Sequence, residues 1–568
     1  MLFNALIVKN QYAKQIGGKI CHQCIETGKK FYKMKESKMS NELSPQMKQM
    51  DQFTKNIVET EQKLNDISPS MCMAKWYQVT IHLQNGHTHS CHHPGTHQVP
   101  LDELAANPSA LHNTLHKKKL REEMVSGVRP KECDYCWRIE DVGERSDRTY
   151  KSADSWARSY IPIVEEAKKQ GTLMDFANAD VNPTYVEVVF DHTCNFKCAY
   201  CAPNISSSWM EEIKEHGPYL TAPYFNDLRW IEQQGQMPIP NREENPYVEA
   251  FWKWWPTLIP GLHTFRITGG EPILSKNTFR VMDDIIENNP NPNLHLAINS
   301  NLCVPDKLFN DFVVKLNRVR NNVQKVTIYT SIDTFIPAHN EYIRFGMEHD
   351  KFCASVEQLL DTVEQEITLS FMITISALSV YGTRELVEWI YKLKEKYKGK
   401  HRLMPDFPYL RHPEFLCVDI NPEDAVLELE RALEFVKEKS VSEMSKSWEQ
   451  EEKDKYAFNW KNYAFFDDFA VQRLGRVIEF ARDKITNPNP KLNTHLEDFA
   501  LYVDEYDHRR GTKFLELFPQ MEKFYNRAKT MLISSGRQRN AREAVPTVAT
   551  IPVSSIKRLN KAKSLFNQ

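Results

Sequence analysis

Residues 190–201 read Phe-Asp-His-Thr-Cys-Asn-Phe-Lys-Cys-Ala-Tyr-Cys, and the predicted architecture is built around them. Cys194, Cys198 and Cys201 follow a β-rich run (184–190) and are separated by three and then two residues. Three thiolates on one short loop suit three irons of a cubane cluster, whereas structural zinc and ferredoxin-type clusters use four protein ligands. The pattern therefore predicts a cluster with one iron left open to a small molecule.

Downstream of residue 184 the sequence alternates predicted strands with predicted helices. We place strands at 184–190, 264–268, 294–299, 325–332, 367–376 and 415–420, with helices such as 278–287 and 384–397 between them. This alternation indicates parallel βαβ units. The working groups of parallel barrels cluster at the carboxyl ends of strands, so motifs at those ends are candidate site residues.

A glycine pair directly follows the second predicted strand, in Thr268-Gly-Gly-Glu-Pro272. Paired glycines let the backbone approach a ligand, and the carbonyls of Gly269 and Gly270 together with Glu271 suit a ligand ammonium group. Polar residues also end the third and fourth predicted strands: Asn299, Asn301, Ser331 and Asp333. The alternatives are an ordinary turn for the glycine pair and strand-end capping for the polar residues.

Four further cysteines precede this region: Cys72, Cys91, Cys133 and Cys136. The first precedes an alternating strand (77–83) and an Asn-Gly pair (85–86) typical of a hairpin turn, and a basic helical stretch (101–124) precedes the last two. A complete four-thiolate site suits zinc or iron-sulfur about equally on ligand chemistry alone. The histidines around it are interpreted as extra ligands or as solvated groups: His87, His89, His92, His93 and His97.

The three-cysteine pattern, with an aromatic residue before its last cysteine, and the Gly-Gly-Glu-Pro element resemble the radical S-adenosylmethionine (SAM) enzymes. The resemblance implies a partial (β/α)6 barrel, with a [4Fe-4S] cluster on Cys194, Cys198 and Cys201 that binds SAM at its open iron. It implies these SAM-binding residues: Tyr200 along the adenine pocket, Gly269, Gly270, Glu271 and Pro272 at the amino group, Ser331 at the ribose, and Asn299, Asn301 and Asp333 at the ribose or carboxylate.

The four-cysteine region resembles the twitch domain, a shortened relative of the SPASM domain that holds an auxiliary [4Fe-4S] cluster. Twitch domains follow the core, whereas here the region precedes it. Two clusters are therefore expected. The resemblance implies reductive cleavage of SAM to a 5′-deoxyadenosyl radical, hydrogen abstraction from a peptide or small-molecule substrate, and electron uptake by the auxiliary cluster. The outcome is an oxidation or a cross-link, and a flavodoxin- or ferredoxin-type reductant is the expected partner.

These signals predict six regions along the chain. They are a polar N-terminal extension (1–70), a twitch-like auxiliary cluster domain (71–150), a helical linker (151–183), a partial barrel (184–421) with an insertion at 205–262, a helical C-terminal region (422–534) and a basic disordered tail (535–568). The Cys21-x2-Cys24 pair in the extension is interpreted as two free thiols rather than half of a zinc site.

Each of three further segments has two possible interpretations. The tryptophan-rich insertion at 205–262 is either a substrate lid or packing against the barrel wall. Arg411 and His412 meet either a substrate anion or a surface acid. The turn at 507–512, Asp-His-Arg-Arg-Gly-Thr, is either an anion-binding turn or a helix cap with solvated charges.

Composition narrows the function classes. A chain of 568 residues with 41% hydrophobic residues forms more than one unit, and a net charge of -2 without a basic stripe argues against a nucleic-acid partner. The longest apolar run (367–381) is interrupted and too short for a membrane span, and no signal peptide is evident, so a cytoplasmic enzyme is expected. The alternatives are a non-catalytic iron-sulfur electron-transfer protein and a zinc-stabilised binding protein.

Overall fold

The structure is a computed structural model that describes the backbone of residues 45–459 and 462–537. The Cys21/Cys24 pair and the tail beyond residue 537 lie outside the described residues. Contacts divide the chain into two units. One comprises residues 57–448 and 461–568 and holds every strand given below, and the other comprises residues 1–56 and 449–460, described only as helical segments.

The strands form one large sheet and one small sheet. Their bounds are β1 Gln78–His82, β2 His87–His89, β3 His97–Gln98, β4 Tyr185–Val189, β5 Lys197–Cys198, β6 Thr264–Thr268, β7 Asn291–Ser300, β8 Val323–Ser331, β9 Arg344–Phe345, β10 Thr368–Met372 and β11 Arg402–Asp406.

The large sheet has the order β11-β10-β8-β7-β6-β4-β1-β2-β3. Neighbours from β4 to β11 are parallel, and β1 is also parallel to β4, with Gln78 opposite Tyr185 and His82 opposite Val189. Strands β2 and β3 continue from β1 as an antiparallel ribbon. The hairpin that carries Cys91 therefore belongs to the same sheet as the parallel strands.

The α-helices of the described residues are α1 Pro45–Ile67, α2 Ala74–Tyr77, α3 Leu101–Ala106, α4 Leu115–Val125, α5 Asp134–Asp141, α6 Asp147–Ala153, α7 Ser155–Arg158, α8 Ile161–Gln170, α9 Leu173–Asn178, α10 Ser207–His216, α11 Leu228–Gln233, α12 Pro246–Leu258, α13 Lys276–Glu287, α14 Asp306–Arg320, α15 Pro337–Ile343, α16 His349–Thr362, α17 Thr383–Tyr397, α18 Pro422–Glu438, α19 Val441–Met444, α20 Gln450–Asn459, α21 Asp468–Thr486, α22 Leu492–Arg510, α23 Phe514–Leu517 and α24 Glu522–Ser534. None of them combines the length and the apolar content that a membrane-spanning segment needs.

The two faces of the parallel sheet differ in chemistry because side chains alternate along each strand. One face is apolar and fully buried, with Val188 of β4, Ile267 of β6 and Ile298 of β7 in the main core. The other face carries half-buried polar groups such as Glu187 and Arg266. The polar face is therefore the face of the sheet on which a ligand can bind.

Five of the six predicted core strands coincide with β4, β6, β7, β8 and β10. The mixed α/β class with a parallel sheet is confirmed, whereas the barrel, the twitch-like region and the division of the chain into six regions remain predictions.

The predicted position of the sixth core strand, residues 415–420, was wrong. The sixth parallel strand is β11, and residues 415–420 lie in 3-10 turns at Glu414–Leu416 and Val418–Ile420. The buried apolar residues of these turns imitate a strand in the sequence. Pro405 within β11 argues against a strand, and it is tolerated because β11 lies at the edge of the sheet.

Candidate metal centres

The three-cysteine loop follows β4 at the carboxyl end of the parallel sheet, as the sequence predicts. Cys194, Cys198 and Cys201 are half-buried free thiols, and Cys198 lies in β5, which pairs with β9. Burial, with a smaller contribution from repulsion by Cys198, raises the pKa of Cys201 to about 12. Thiolates at this position therefore need a cationic partner such as a metal ion.

The glycine pair lets the three-cysteine loop pack directly on the turn after β6. A Cβ at Gly270 would lie 2.2 Å from the Thr193 carbonyl oxygen, and one at Gly269 would lie 2.8 Å from Val189 Cγ1. The amide of Glu271 donates to the same Thr193 carbonyl at 2.7 Å. The close approach that requires glycine here is therefore to the backbone of the cysteine loop.

The Glu271 carboxylate joins this turn to the end of β7. It is buried and accepts hydrogen bonds from the Ser300 hydroxyl (2.8 Å) and from the amides of Asn301 (2.6 Å) and Ile273 (3.0 Å). Burial outweighs these bonds and raises the pKa of Glu271 to about 7. Because the carboxylate serves three donors of the fold, the Gly269 and Gly270 carbonyls are the better acceptors for a ligand ammonium.

The predicted polar strand ends do not converge on one point. The Asn301 amide group donates to Asn195 Oδ1 in the cysteine loop at 2.9 Å. Asn299 lies on the polar face of the sheet and accepts from Arg266 Nε at 3.0 Å. Ser331 is half-buried at the end of β8. Asn301 thus holds the loop, while Asn299 and Ser331 are half-buried on the polar face.

Tyr200 and Asp333 are brought together by a residue that sequence reasoning missed, Arg344 of β9. The Tyr200 hydroxyl donates to Asp333 Oδ2 at 2.8 Å. Arg344 pairs with Asp333 (Nε–Oδ2, 2.9 Å), and its Nη1 lies 3.7 Å from the sulfur of Cys198. The Asp333 side chain is fully buried and occupied by this pair.

Helix α22 lies directly behind the three-cysteine loop. The Tyr502 hydroxyl donates to the Ala199 carbonyl at 2.7 Å. Arg510, at the end of the helix, is buried and pairs with Glu212 of α10 (Nη2–Oε2, 3.0 Å). The interpretation of residues 507–512 as a cap is right for Asp507, which accepts from the Phe514 amide, but Arg509 and Arg510 are buried rather than solvated.

The four N-terminal cysteines line one cavity. Cys72, Cys91 and the Cys133/Cys136 pair come from three places in the chain and meet there beside Lys75 and Arg148. Burial raises the pKa of all four thiols, that of Cys133 to about 12. The cavity therefore gathers four sulfur ligands whose charged form requires a cation.

Buried cations border the four-cysteine cavity. The Lys75 ammonium is buried and pairs with Glu132, while Arg148 pairs with Glu140 at 2.7 Å. These two groups place positive charge beside four thiols whose charged form is negative.

The four thiols suit more than one metal. Zinc and an iron-sulfur cluster both accept four cysteine ligands, so ligand chemistry alone does not separate them.

Of the five histidines near Cys91, two meet an acid. His93 Nε2 lies 2.7 Å from Asp147 Oδ2, and His92 Nε2 lies 3.6 Å from the same oxygen. His87 hydrogen-bonds with Thr96 and the Gly235 carbonyl, His89 with the Cys91 carbonyl, and His97 with Thr114. These contacts favour support of the surrounding loops over direct ligation.

The remaining described cysteines have other partners. The Cys303 sulfur lies 3.9 Å from the Glu348 carbonyl, the Cys417 sulfur 3.5 Å from the Pro413 carbonyl, and the Cys353 sulfur 3.7 Å from His349 Nε2. None of these contacts involves the three-cysteine loop. The ten described cysteines thus comprise three in the three-cysteine loop, four at the four-cysteine cavity and three elsewhere.

The two cysteine sites lie at opposite ends of paired strands. Strands β1 and β4 are parallel; Cys72 precedes β1, whereas Cys194 follows β4. A five-residue strand spans about 15 Å. On the polar face between these ends, Arg266 lies 3.7 Å from Glu187 and stacks on Tyr329 with its guanidinium 4.3 Å from the ring centre.

The insertion packs against the protein, as its second interpretation predicts. Trp252 stacks with Arg280 of α13 at 3.8 Å, and Trp255 Nε1 donates to Asp284 at 2.7 Å. His412 is exposed and meets Glu414 at 3.2 Å, while Arg411 is exposed beside Tyr409. The surface-acid interpretation therefore fits His412, whereas Arg411 lies against an aromatic ring.

Comparison with known proteins gives few matches. No family profile and no curated protein matches the sequence. Solved structures with some similarity include Streptococcus suis SuiB bound to S-adenosylmethionine, at 14% identity and a TM-score of 0.29 over 66% of this chain and 69% of that chain. SuiB bound to the precursor peptide SuiA gives 13% identity and a TM-score of 0.29 over 69% and 71%. Similarity of this size assigns no function.

Proposed function

We propose that this chain is a radical SAM enzyme with an auxiliary iron-sulfur site. The observation that carries the proposal is a loop of three free thiols at the carboxyl end of a parallel strand, packed on a glycine turn, with the other described cysteines engaged elsewhere. A three-thiol set leaves one iron of a [4Fe-4S] cluster without a protein ligand.

The residues around the loop suit SAM. The Gly269 and Gly270 carbonyls bind the amino group, while Ser331 and Asn299 reach the ribose and carboxylate. When bound, the reduced cluster supplies the electron that cleaves SAM to a 5′-deoxyadenosyl radical able to abstract a substrate hydrogen. The fold contributes position and exclusion of water, and no strong acid or base is needed for that step.

Cys72, Cys91, Cys133 and Cys136 would hold an auxiliary [4Fe-4S] cluster, which would accept an electron when bound. The buried Lys75 and Arg148 beside the four thiols support this assignment. The substrate, a peptide or a small molecule, lies on the polar face between the two sites, where Glu187 and Arg266 offer both charges. A flavodoxin- or ferredoxin-type protein supplies reducing electrons.

The test is anaerobic reconstitution with iron and sulfide, followed by dithionite and SAM, with 5′-deoxyadenosine measured by mass spectrometry. We expect the product from the wild type and from Cys417→Ala, a buried cysteine outside both sites, but none from Cys198→Ala. We also expect Cys198→Ala to lose about half of the iron. Absence of product from a protein with both clusters loaded would favour an electron carrier, and zinc in place of iron would exclude both functions.

A further inference from the structure

Arg344 is a buried cation that reaches the three-cysteine loop. Its side chain is 7% exposed, and it lies in β9, which pairs with β5 and so with Cys198. Nη1 donates to the Cys198 sulfur at 3.7 Å, and Nη2 donates to the Tyr200 hydroxyl at 2.7 Å and to Asp333 Oδ1 at 3.1 Å.

One acid balances this cation. Asp333 also accepts from the Thr374 amide at 3.0 Å and from the Tyr200 hydroxyl, so its carboxylate is held in place from three sides. Gly346, two residues after Arg344, keeps the β9 turn close to the loop, since a Cβ there would lie 2.8 Å from the Asn195 carbonyl. The positive end of the pair therefore faces the sulfur at a fixed distance.

The charge on a cluster thiolate grows when the cluster accepts an electron. A donor and a positive charge beside the sulfur stabilise the reduced form more than the oxidised form, and hydrogen bonds to the sulfurs are among the factors that set cluster potentials. Because the Arg344 and Asp333 side chains are buried, their charges are weakly screened.

We propose that Arg344 is a positioning residue that raises the reduction potential of the cluster on Cys194, Cys198 and Cys201, with Asp333 as the opposing charge. This inference rests on the proposed function. It gives Asp333 a role in the electrostatics of the cluster in place of direct contact with SAM.

The test is a redox titration of the full-length reconstituted protein followed by electron paramagnetic resonance. The relevant cluster is identified by the change in its signal when SAM is added and by its absence in Cys198→Ala. Arg344→Gln should lower its potential by at least a tenfold change in the reduction equilibrium, about 59 mV for one electron. Asp333→Asn should raise the potential, and Tyr200→Phe, which keeps both charges, should change it by less than either.

Opposite shifts in the two charge variants support the proposal, because damage to the fold has no reason to produce opposite signs. Equal potentials, or shifts in the same direction, would overturn it. If Arg344→Gln fails to bind iron, Asp333→Asn decides alone: a higher potential supports the role and an unchanged or lower one overturns it. If no signal responds to SAM and Cys198→Ala keeps its iron, the proposed function itself fails.

Discussion

The two cysteine sites are built in opposite ways. Cys194, Cys198 and Cys201 share one loop that the protein holds through the glycine turn, Asn301, Arg344 and helix α22. The cysteines of the other site come from three places between residues 72 and 136, namely Cys72, Cys91 and the Cys133/Cys136 pair, and meet at a cavity. The fold therefore forms the first site within one loop, whereas a metal bound at the second site would join three segments of the chain.

Loss of metal should affect the two regions unequally, and this is the largest effect we expect. In Cys133→Ser, residues 72–136 should lose hydrogen-exchange protection by several kcal/mol, because metal ligation to gathered thiolates is itself folding free energy. Cys198→Ser should lose its iron with little change in protection of β4 and β6. Equal losses of protection in the two variants would contradict the comparison.

Removal of Arg510 should show that the protein holds the three-cysteine loop. Arg510→Gln removes one of the cations that pair with the buried Glu212, which keeps Lys197 at 2.9 Å and the Tyr219 hydroxyl at 2.7 Å. It should destabilise the protein by about 1–3 kcal/mol, measured by denaturant titration without iron. Arg482→Gln, which removes an exposed ion pair with Glu430, is the matched control and should have no measurable effect. An effect of Arg510→Gln that appears only with iron bound would assign the support to the metal.

The glycine turn allows a finer comparison. Gly270→Ala places a Cβ against the Thr193 carbonyl, a backbone atom that cannot move alone, and should cost about 1–3 kcal/mol. Iron content should fall at the three-cysteine site. Gly95→Ala, which meets open space beside the four-cysteine region, should change neither stability nor iron content. Normal iron loading of Gly270→Ala would show that the loop does not need this contact.

Acid should destabilise the hairpin formed by β1 and β2, and this is the smallest effect that we expect. Burial, with repulsion from His89 and His87, lowers the pKa of His82 to about 3, against about 6.5 in the unfolded chain. Between pH 3 and pH 6.5 the unfolded chain binds more protons than the folded protein does. The free energy of unfolding is therefore highest above pH 6.5 and decreases as the pH falls.

At pH 5.5 the loss from His82 should be about 1 kcal/mol. The wild type should lose this stability on acidification and His82→Gln should not. The melting temperature of the variant minus that of the wild type should therefore increase as the pH is lowered from 7.5 to 5.5. A difference that stays constant with pH would show that His82 is protonated equally in both states.

The sequence predicted what is local. The cysteine loop, the glycine turn and five parallel strands follow from spacing and alternation within short windows. Strand β11 was missed because Pro405 argues against a strand, although an edge strand tolerates it. The close approach at the glycine pair was predicted, but the group that approaches is the cysteine loop and not a ligand.

Residues that act across the fold gave no local signal. Arg344 lies far along the chain from Cys198, and Arg510 is part of a turn whose charges look solvated in the sequence. The left-handed backbone at Gly346, with φ of 106°, marks the close approach of β9 to the loop, but a glycine alone does not reveal that conformation.

The pairing of β1 with β4 has a consequence for synthesis on the ribosome. All four ligands of the cavity lie at or before Cys136, so they leave the ribosome before β4, at residues 185–189, is available to cover the edge of β1. During that interval the hairpin exposes an unpaired edge, which is where growing chains aggregate. A metal bound by the four cysteines would join their three segments before β4 emerges, so the order of synthesis lets this region close on itself ahead of its neighbour in the sheet.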